Sequence, residues 1–139
     1  MKLTSCLLAL LLAAVAHSQS AEKEIRRSLH EQTICWNRGD IEGFMKTYWN
    51  SDSLMFIGKN GVQHGWTATL ENYKRSYPDT AAMGKLSFDL IHLKRLSPEY
   101  FYVVGKWMLQ RTAGNLSGHY DLLFRKIKGR WVIIADHSS

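Results

Sequence analysis

Hydrophobic residues recur at helical spacing in the first half of the chain and alternate with polar residues in the second half. From Ala21 to Arg38 the apolar positions fall on one side and the charged positions on the other, which predicts an amphipathic helix. Gly39 is expected to end this helix, as a glycine after the last turn commonly does. The residues predicted to share its buried face are Ile25, Leu29, Thr33 and Trp36.

Two further helices are predicted before the period changes. Asp40 is a suitable N-cap for a second helix, because its side chain can accept a hydrogen bond from the first turn. Apolar residues then repeat at helical spacing as far as Trp49. Thr67 or Thr69 is expected to begin a third helix, which ends before Pro78.

The strands are predicted from alternation and from turn residues. A short apolar strand at 54–58 is followed by Lys59-Asn60-Gly61, a turn that favours a hairpin. Long strands are predicted at 85–96 and 100–112, where apolar and polar residues alternate. The segment from Gly118 to Ser139 predicts a closing hairpin with its tight turn at Lys128-Gly129.

This order of elements predicts an α+β fold. Helices come mainly first, and an antiparallel meander of strands follows. Strands of this length twist, so the sheet is expected to curl into a cone with the three helices across its concave face. The wide end of such a cone is a natural ligand pocket.

The first residues, MKLTSCLLALLLAAVAHSQS, are typical of a secretory signal peptide. A basic Lys2 precedes an apolar run that is too short to span a bilayer, and small residues follow near Ser18. We therefore predict a signal peptide at 1–18 and a single domain at 19–139. The mature protein is expected to be secreted or periplasmic, with no attachment to the membrane.

Charge and cysteine content exclude several classes of function. The net charge is +6, but the basic residues are scattered, so a nucleic-acid partner is not expected. Cys35 is the one cysteine outside the predicted signal peptide, which excludes an intrachain disulfide in the mature domain. The six histidines show no metal-ligand spacing, so neither a metal nor another cofactor is expected.

The order of these segments resembles that of a known superfamily. The stretches that carry the resemblance are WNRGDIEGFMKTYWNSDSLMFIGKNGVQHGWTATLENY at 36–73 and VGKWMLQRTAGNLSGHYDLLFRKIKGRWVIIADHSS at 104–139. They are similar to the nuclear transport factor 2-like superfamily, also called SnoaL-like, cystatin-like or ketosteroid-isomerase-like. Within it, the chain looks most like the group called domain of unknown function 4440.

The resemblance implies a cone with an internal cavity and a homodimer that packs through the sheet, but it does not imply one activity. Ketosteroid isomerases place an aspartate base in the strand after the second helix, where this chain has Phe56 or Ile57. Their oxyanion-hole tyrosine corresponds to Gln32. Steroid isomerisation is therefore not expected. The related polyketide cyclases use an aspartate on a late strand, to which Asp121 is comparable.

The closing hairpin carries the candidate acid–base residues. Simple alternation from Trp131 points His137 into the interior and Asp136 outward. His119 and Asp121 share the other face of the preceding strand and point inward only if a bulge shifts the register. Because an unperturbed histidine titrates near neutral pH, His137 is the first candidate for a general base, with Asp121 as the alternative.

Aromatic residues suggest the chemistry of a ligand. The chain has five tryptophans, six tyrosines and five phenylalanines, and rings with a polar tip line pockets well. Arg111 shares a strand face with Trp107 and could hold a carboxylate at the rim. The residues predicted to bind a small apolar or aromatic molecule are Tyr48, Trp49, Trp66, Trp107, Tyr120, Trp131 and His137.

Three functions remain open from the sequence. The first is a small-molecule-binding domain, and the second is a cyclase, isomerase or hydratase that uses His137 or Asp121. The third is a dimeric protein-interaction module whose cavity has no ligand. An open cavity separates the first two from the third, and an inward-facing carboxylate or imidazole separates an enzyme from a binder.

Overall fold

The computed structural model describes residues 2–139, and side chains within that range from residue 16 onward. The fold is α+β, as predicted, with helices followed by a curved sheet. The helices are α1 (Lys2–Asn37), α2 (Ile41–Met45), α3 (Trp66–Ser76) and α4 (Thr80–Met83). The strands are β1 (Met55–Gly58), β2 (Gly61–His64), β3 (Lys85–Ser97), β4 (Tyr100–Gln110), β5 (Leu116–Ile127) and β6 (Arg130–Ser138).

The strands form one six-stranded sheet in the order β2-β1-β6-β5-β4-β3. All neighbours are antiparallel except β1 and β6, which pair in parallel. The predicted antiparallel sheet is therefore wrong at this pair, and the sheet is mixed. A hairpin forces its strands to be antiparallel, whereas the long connection between β1 and β6 permits either direction.

Register shifts bend the long strands. In β3 they lie between Leu90 and His92 and between Arg95 and Ser97. A third shift lies where β5 pairs with β6, at Leu123–Phe124. Each extra residue increases the local twist, so the sheet curls toward the helices. Helix α1 packs against β3 and β6 on this concave side.

The buried face of α1 differs from the predicted face at one position. Ile25, Leu29 and Trp36 are buried as expected, but Gln32 is buried with them instead of Thr33. Positions 25, 29, 32 and 36 also follow the helical period, so spacing alone allows either choice. Gln32 is accommodated because its side-chain Nε2 donates to the Phe44 carbonyl at 3.4 Å.

Helix α2 is shorter than predicted because the chain leaves it to join the sheet. The Asp40 side chain accepts from the Gly43 N–H at 2.7 Å, which confirms the predicted N-cap. The helix ends at Met45, and the next residues pair with β6. The Ile133 N–H donates to the Thr47 carbonyl at 3.0 Å, and the Trp49 N–H donates to the Ile133 carbonyl at 2.9 Å.

Helix α3 is capped two residues before Thr67, the earlier of the two expected starts. Its N-cap is Gly65, whose φ of 95° is accessible to glycine and strained for other residues. Thr69, predicted as a possible cap, lies inside the helix and donates its hydroxyl to the Gly65 carbonyl at 2.8 Å. Helix α4 was not predicted, because a single turn gives too short a pattern to recognise.

The predicted signal peptide at 1–18 lies mainly outside the residues whose side chains are described, and it stays a prediction. From Lys2 onward the backbone of this segment is helical and continuous with the rest of α1. Among the described residues, no helix combines the length and the hydropathy needed to cross a lipid bilayer.

Candidate ligand cavity

A cavity of about 730 Å³ lies between the helices and the concave face of the sheet. This volume is within the range of small-molecule sites. About a third of the lining residues are aromatic, and their rings come from both layers of the fold. Rings that face the cavity include Trp36, Phe44, Phe56, Tyr73, Phe88 and Trp107.

Asp136 on β6 is the buried acid of this cavity. Only 3% of its surface is exposed. The Tyr48 hydroxyl donates to its Oδ2 at 2.6 Å, and the Ser138 hydroxyl donates to its Oδ1 at 2.8 Å. The hydroxyls of Tyr48 and Tyr73 lie 3.5 Å apart, which extends the network toward α3. Asp136 therefore has two neutral donors, and it forms no ion pair with any cation in the described part of the chain.

Burial controls the protonation of this network. It raises the pKa of Asp136 to about 6, although the hydrogen bonds from Tyr48 and Ser138 act in the opposite direction. Burial also raises the pKa values of Tyr48 and Tyr73, and the nearby Asp136 carboxylate raises both further. The two tyrosines thus remain protonated donors, while Asp136 can gain or lose a proton near neutral pH.

The predicted orientations of Asp136 and His137 are both wrong. Asp136 is buried and lines the cavity, whereas His137 is exposed on the outer face. In the pairing of β5 with β6, Leu123 lies opposite Ala135 but Phe124 lies opposite Ile133, which leaves Ile134 as the extra residue. One inserted residue reverses the side-chain alternation beyond it.

The two candidate catalytic residues lie together on the outer face of the sheet. His137 Nδ1 and Asp121 Oδ1 are 3.0 Å apart, and both side chains are partly exposed. His119 is exposed on the same face of β5. Since Tyr120 and Leu122 point into the cavity from the same strand, the sheet separates His137 and Asp121 from it. Neither can contact a molecule inside.

The predicted ligand-binding aromatics divide into two groups. Tyr48, Trp107 and Tyr120 line the cavity. Trp49, Trp66 and Trp131 are outside its lining. The Trp66 Nε1 donates to the Met45 carbonyl at 2.9 Å. The Trp131 ring packs edge-on against the Phe101 ring, with 5.3 Å between the ring centroids. These two rings contribute to the packing of the core beside the cavity.

Two aromatic rings lie over glycines of the neighbouring strand. Tyr120 on β5 pairs with Gly105 on β4, and Trp107 on β4 pairs with Gly118 on β5. A Cβ at position 105 would collide with the Tyr120 hydroxyl and ring. A Cβ at position 118 would overlap the Ser139 carbonyl oxygen and would lie 2.9 Å from Trp107 Nε1. The missing side chains let both rings lie close to the sheet and leave the cavity open.

These two rings also carry unused hydrogen-bond donors. Within the described part of the chain, neither the Tyr120 hydroxyl nor Trp107 Nε1 has a hydrogen-bond partner, although both atoms are buried. A buried donor without a partner costs free energy.

Arg111 is not available for a ligand carboxylate. Its Nε donates to the Gly114 carbonyl at 2.9 Å, and one terminal nitrogen donates to the Ala82 carbonyl at 3.2 Å. The side chain instead joins the β4–β5 loop to α4.

The hydrogen bond from Tyr48 to Asp136 can be tested by Tyr48→Phe. This change removes the donor nearest the buried carboxylate, so the pKa of Asp136 should rise further. We expect the free energy of unfolding to fall by about 1–3 kcal/mol at pH 8 and by less at pH 4.5, where Asp136 is protonated. Urea denaturation at both pH values measures this. Tyr77→Phe, which removes a cavity hydroxyl not bonded to Asp136, is the control, and equal losses at both pH values would contradict the expectation.

Solved structures share this fold. A nuclear transport factor 2-like protein of unknown function from Shewanella oneidensis MR-1 has 41% sequence identity and a TM-score of 0.82, and the match covers 85% of this chain and 98% of that one. The chain belongs to the nuclear transport factor 2-like family. This match confirms the predicted superfamily. Membership of the group called domain of unknown function 4440 stays a prediction.

Other solved structures share the fold at lower sequence identity. A domain of unknown function with a cystatin-like fold from Nostoc punctiforme matches with 16% identity and a TM-score of 0.72, over 86% of this chain and 76% of that one. A ketosteroid isomerase-like protein from Erwinia carotovora atroseptica matches with 18% identity and a TM-score of 0.64, over 84% and 93%. No family model and no curated protein matches the chain.

Proposed function

We propose that this chain binds a small, largely apolar molecule in the ring-lined cavity, with a polar atom of the ligand facing Asp136. The observation that carries the proposal is a buried carboxyl group on the wall of an open aromatic cavity. An ionised carboxyl group has about four acceptor positions, and Tyr48 and Ser138 occupy two of them. A ligand hydroxyl or N–H can occupy another, which compensates for the burial of charge.

The donors on the sheet support the same function. Tyr120 and Trp107 present a buried O–H and N–H that lack partners within the described chain. Ligand sites commonly combine apolar walls with a few polar groups that fix orientation. Here the acceptor on β6 and the donors on β4 and β5 would fix the orientation of a ligand, while the rings supply the apolar contact.

The binding proposal is tested with N-phenyl-1-naphthylamine, a neutral apolar amine whose fluorescence rises in apolar surroundings. We expect saturable binding with a Kd of roughly 1–100 μM, since the probe is small and the cavity largely apolar. Ser117→Trp places a large ring at a cavity-lining position that is exposed, and it should weaken binding at least fivefold. Ser53→Trp, at an exposed position outside the lining, is the control. Absence of binding, or equal binding by both variants, would contradict the proposal.

Acid–base catalysis on a bound ligand is the second candidate, and the raised pKa of Asp136 favours it. The role proposed from the sequence for His137 or Asp121 passes to Asp136, because only Asp136 faces the cavity. Its carboxylate would take a proton from carbon next to a carbonyl group and return it to another carbon of the same molecule. The Tyr120 hydroxyl would donate to the carbonyl oxygen as negative charge develops there. No cofactor or metal is needed for this reaction.

The proposal also covers the narrower family group, the localisation and the oligomeric state of the protein. We assign the chain to the group called domain of unknown function 4440 on the two segments quoted above. We place the mature protein outside the cytoplasm after cleavage near residue 18, and we propose a homodimer that packs through the outer face of the sheet. Mass spectrometry of the secreted protein and light scattering would measure the cleavage site and the oligomeric state.

A further inference from the structure

We propose that the ligand of this cavity is an anionic amphiphile: an apolar body with one carboxylate or similar anionic group, which Lys59 and Arg75 hold at the mouth. This inference rests on the proposed binding function and specifies the class of ligand. It comes from the distribution of charge, apolar surface and ion pairs around the cavity.

Charge is divided between the mouth and the interior. Among the described residues that line the cavity, those with charged side chains are Lys59, Arg75 and Asp136. Lys59 lies in the turn between β1 and β2, and Arg75 lies in the last turn of α3, and both are exposed. Asp136 is buried on β6. The cavity therefore has a basic mouth and an acidic group inside.

The two basic side chains are available to bind an anion. In the described part of the chain, the ion pairs involve neither Lys59 nor Arg75. The neighbouring Lys74, by contrast, pairs with Glu42 at 2.9 Å. Arg75 donates to the neutral Asn72 side chain at 3.3 Å, which leaves its positive charge uncompensated. A guanidinium and an ammonium group together suit a carboxylate, a sulfonate or a phosphate ester.

Apolar side chains share the mouth with these cations. Val62 and Leu116 line the cavity and remain 58% and 39% exposed. Large apolar side chains that stay exposed next to a cavity favour contact with a ligand over contact with water. A mouth that is both apolar and basic matches a molecule with an apolar body and an anionic group at one end.

The buried acid fixes the direction in which such a molecule enters. An anionic group near Asp136 would repel the ionised carboxylate in surroundings of low dielectric constant. The anionic group is therefore retained at the mouth, and the apolar body enters first. The neutral inner end then meets the unpartnered donors of Tyr120 and Trp107.

Two probes with the same ring system test this inference. 1-Anilinonaphthalene-8-sulfonate is N-phenyl-1-naphthylamine with an added sulfonate group, so the pair differs by one anionic group. We expect wild-type protein to bind the sulfonate roughly 5–10-fold more tightly, with the advantage decreasing as salt is added. The double variant Lys59→Gln/Arg75→Gln should remove this advantage and change binding of the neutral amine by less than twofold.

The control is Lys128→Gln/Arg130→Gln, which removes the same net charge at the β5–β6 turn, away from the cavity lining. It should leave the preference for the sulfonate intact, and circular dichroism checks that all variants are folded. If wild-type protein binds both probes equally, or if the two double variants behave alike, the anionic ligand class is wrong while cavity binding stands. If neither probe binds to wild-type protein, the binding function itself fails.

Discussion

Asp136→Asn is expected to increase the free energy of unfolding relative to wild type at pH 8 and to have little or no such effect at pH 4. The pKa of Asp136 is raised from an ordinary value near 4 to about 6. The folded protein therefore holds this proton more tightly than the unfolded chain does. Stability due to Asp136 is fully present below about pH 4 and is lost as the pH rises through about 6, a loss of roughly 3 kcal/mol. Asparagine has nearly the same shape and does not ionise.

Urea denaturation of both proteins between pH 4 and pH 8 measures this effect. The difference in the free energy of unfolding between variant and wild type should increase over that interval and become constant above pH 7. Asp121→Asn is the matched control, because Asp121 lies on the outer face and is partly exposed. Parallel stability curves for wild type and Asp136→Asn would show that the carboxyl group is not buried as described.

Gly105→Ala is expected to destabilise the protein by about 1–3 kcal/mol and to reduce binding of N-phenyl-1-naphthylamine at least fivefold. The added Cβ collides with the hydroxyl and ring of Tyr120, which pairs with Gly105 across β4 and β5. The ring must then move away from the sheet and into the cavity. Thermal denaturation and probe titration measure the two effects.

A second substitution shows whether Tyr120 is the cause. Tyr120→Leu removes the ring atoms that the new Cβ meets, so Gly105→Ala should cost less in that background than in wild type. Equal costs in the two backgrounds would mean that the ring does not lie over Gly105. A Gly105→Ala protein with normal probe binding would likewise contradict the described cavity.

Much of the fold can be predicted from the sequence, because a long segment with a regular spacing of apolar residues indicates a strand or a helix by itself. The alternation in 100–112 predicted β4, and the cap at Asp40 placed α2 correctly. The end of α2 was missed because Ile133, far along the chain, donates a hydrogen bond to Thr47 and accepts one from Trp49, which joins this segment to the sheet. The parallel pairing of β1 with β6 was missed for a similar reason, since no local pattern encodes it.

The candidate site was predicted in part. Tyr48, Trp107 and Tyr120 line the cavity as expected. Strand alternation holds for Trp107 and Tyr120, whereas Tyr48 lies beyond the end of α2 and reaches the cavity from the segment that pairs with β6. Asp136 was missed because the bulge at Ile134 reverses the faces of β6, whereas the prediction assumed strict alternation along the strand. The apolar run Trp131–Ile134 breaks strict alternation and was the available signal of an irregular strand.

The charge of an arginine in the sequence does not predict whether its side chain is free to bind a ligand. Arg111 has the same charge as Arg75, yet carbonyl groups of Gly114 and Ala82 engage its side chain. Which arginine is free to bind a ligand depends on loop geometry. The spacing from Trp107 predicted the strand face of Arg111, but it could not predict these hydrogen bonds.

If an ionisable Asp136 faces a cavity that a small molecule can enter, its carboxyl group should respond both to pH and to a bound probe. Nuclear magnetic resonance of protein with ¹³C-labelled aspartate carboxyl groups measures both responses, with the Asp136 signal assigned by its absence in Asp136→Asn. We expect this signal to titrate with a pKa of about 6 and to shift when N-phenyl-1-naphthylamine is added, while the Asp121 signal is unchanged by the probe. An Asp136 signal that titrates near pH 4 and does not respond to the probe would contradict this placement of Asp136.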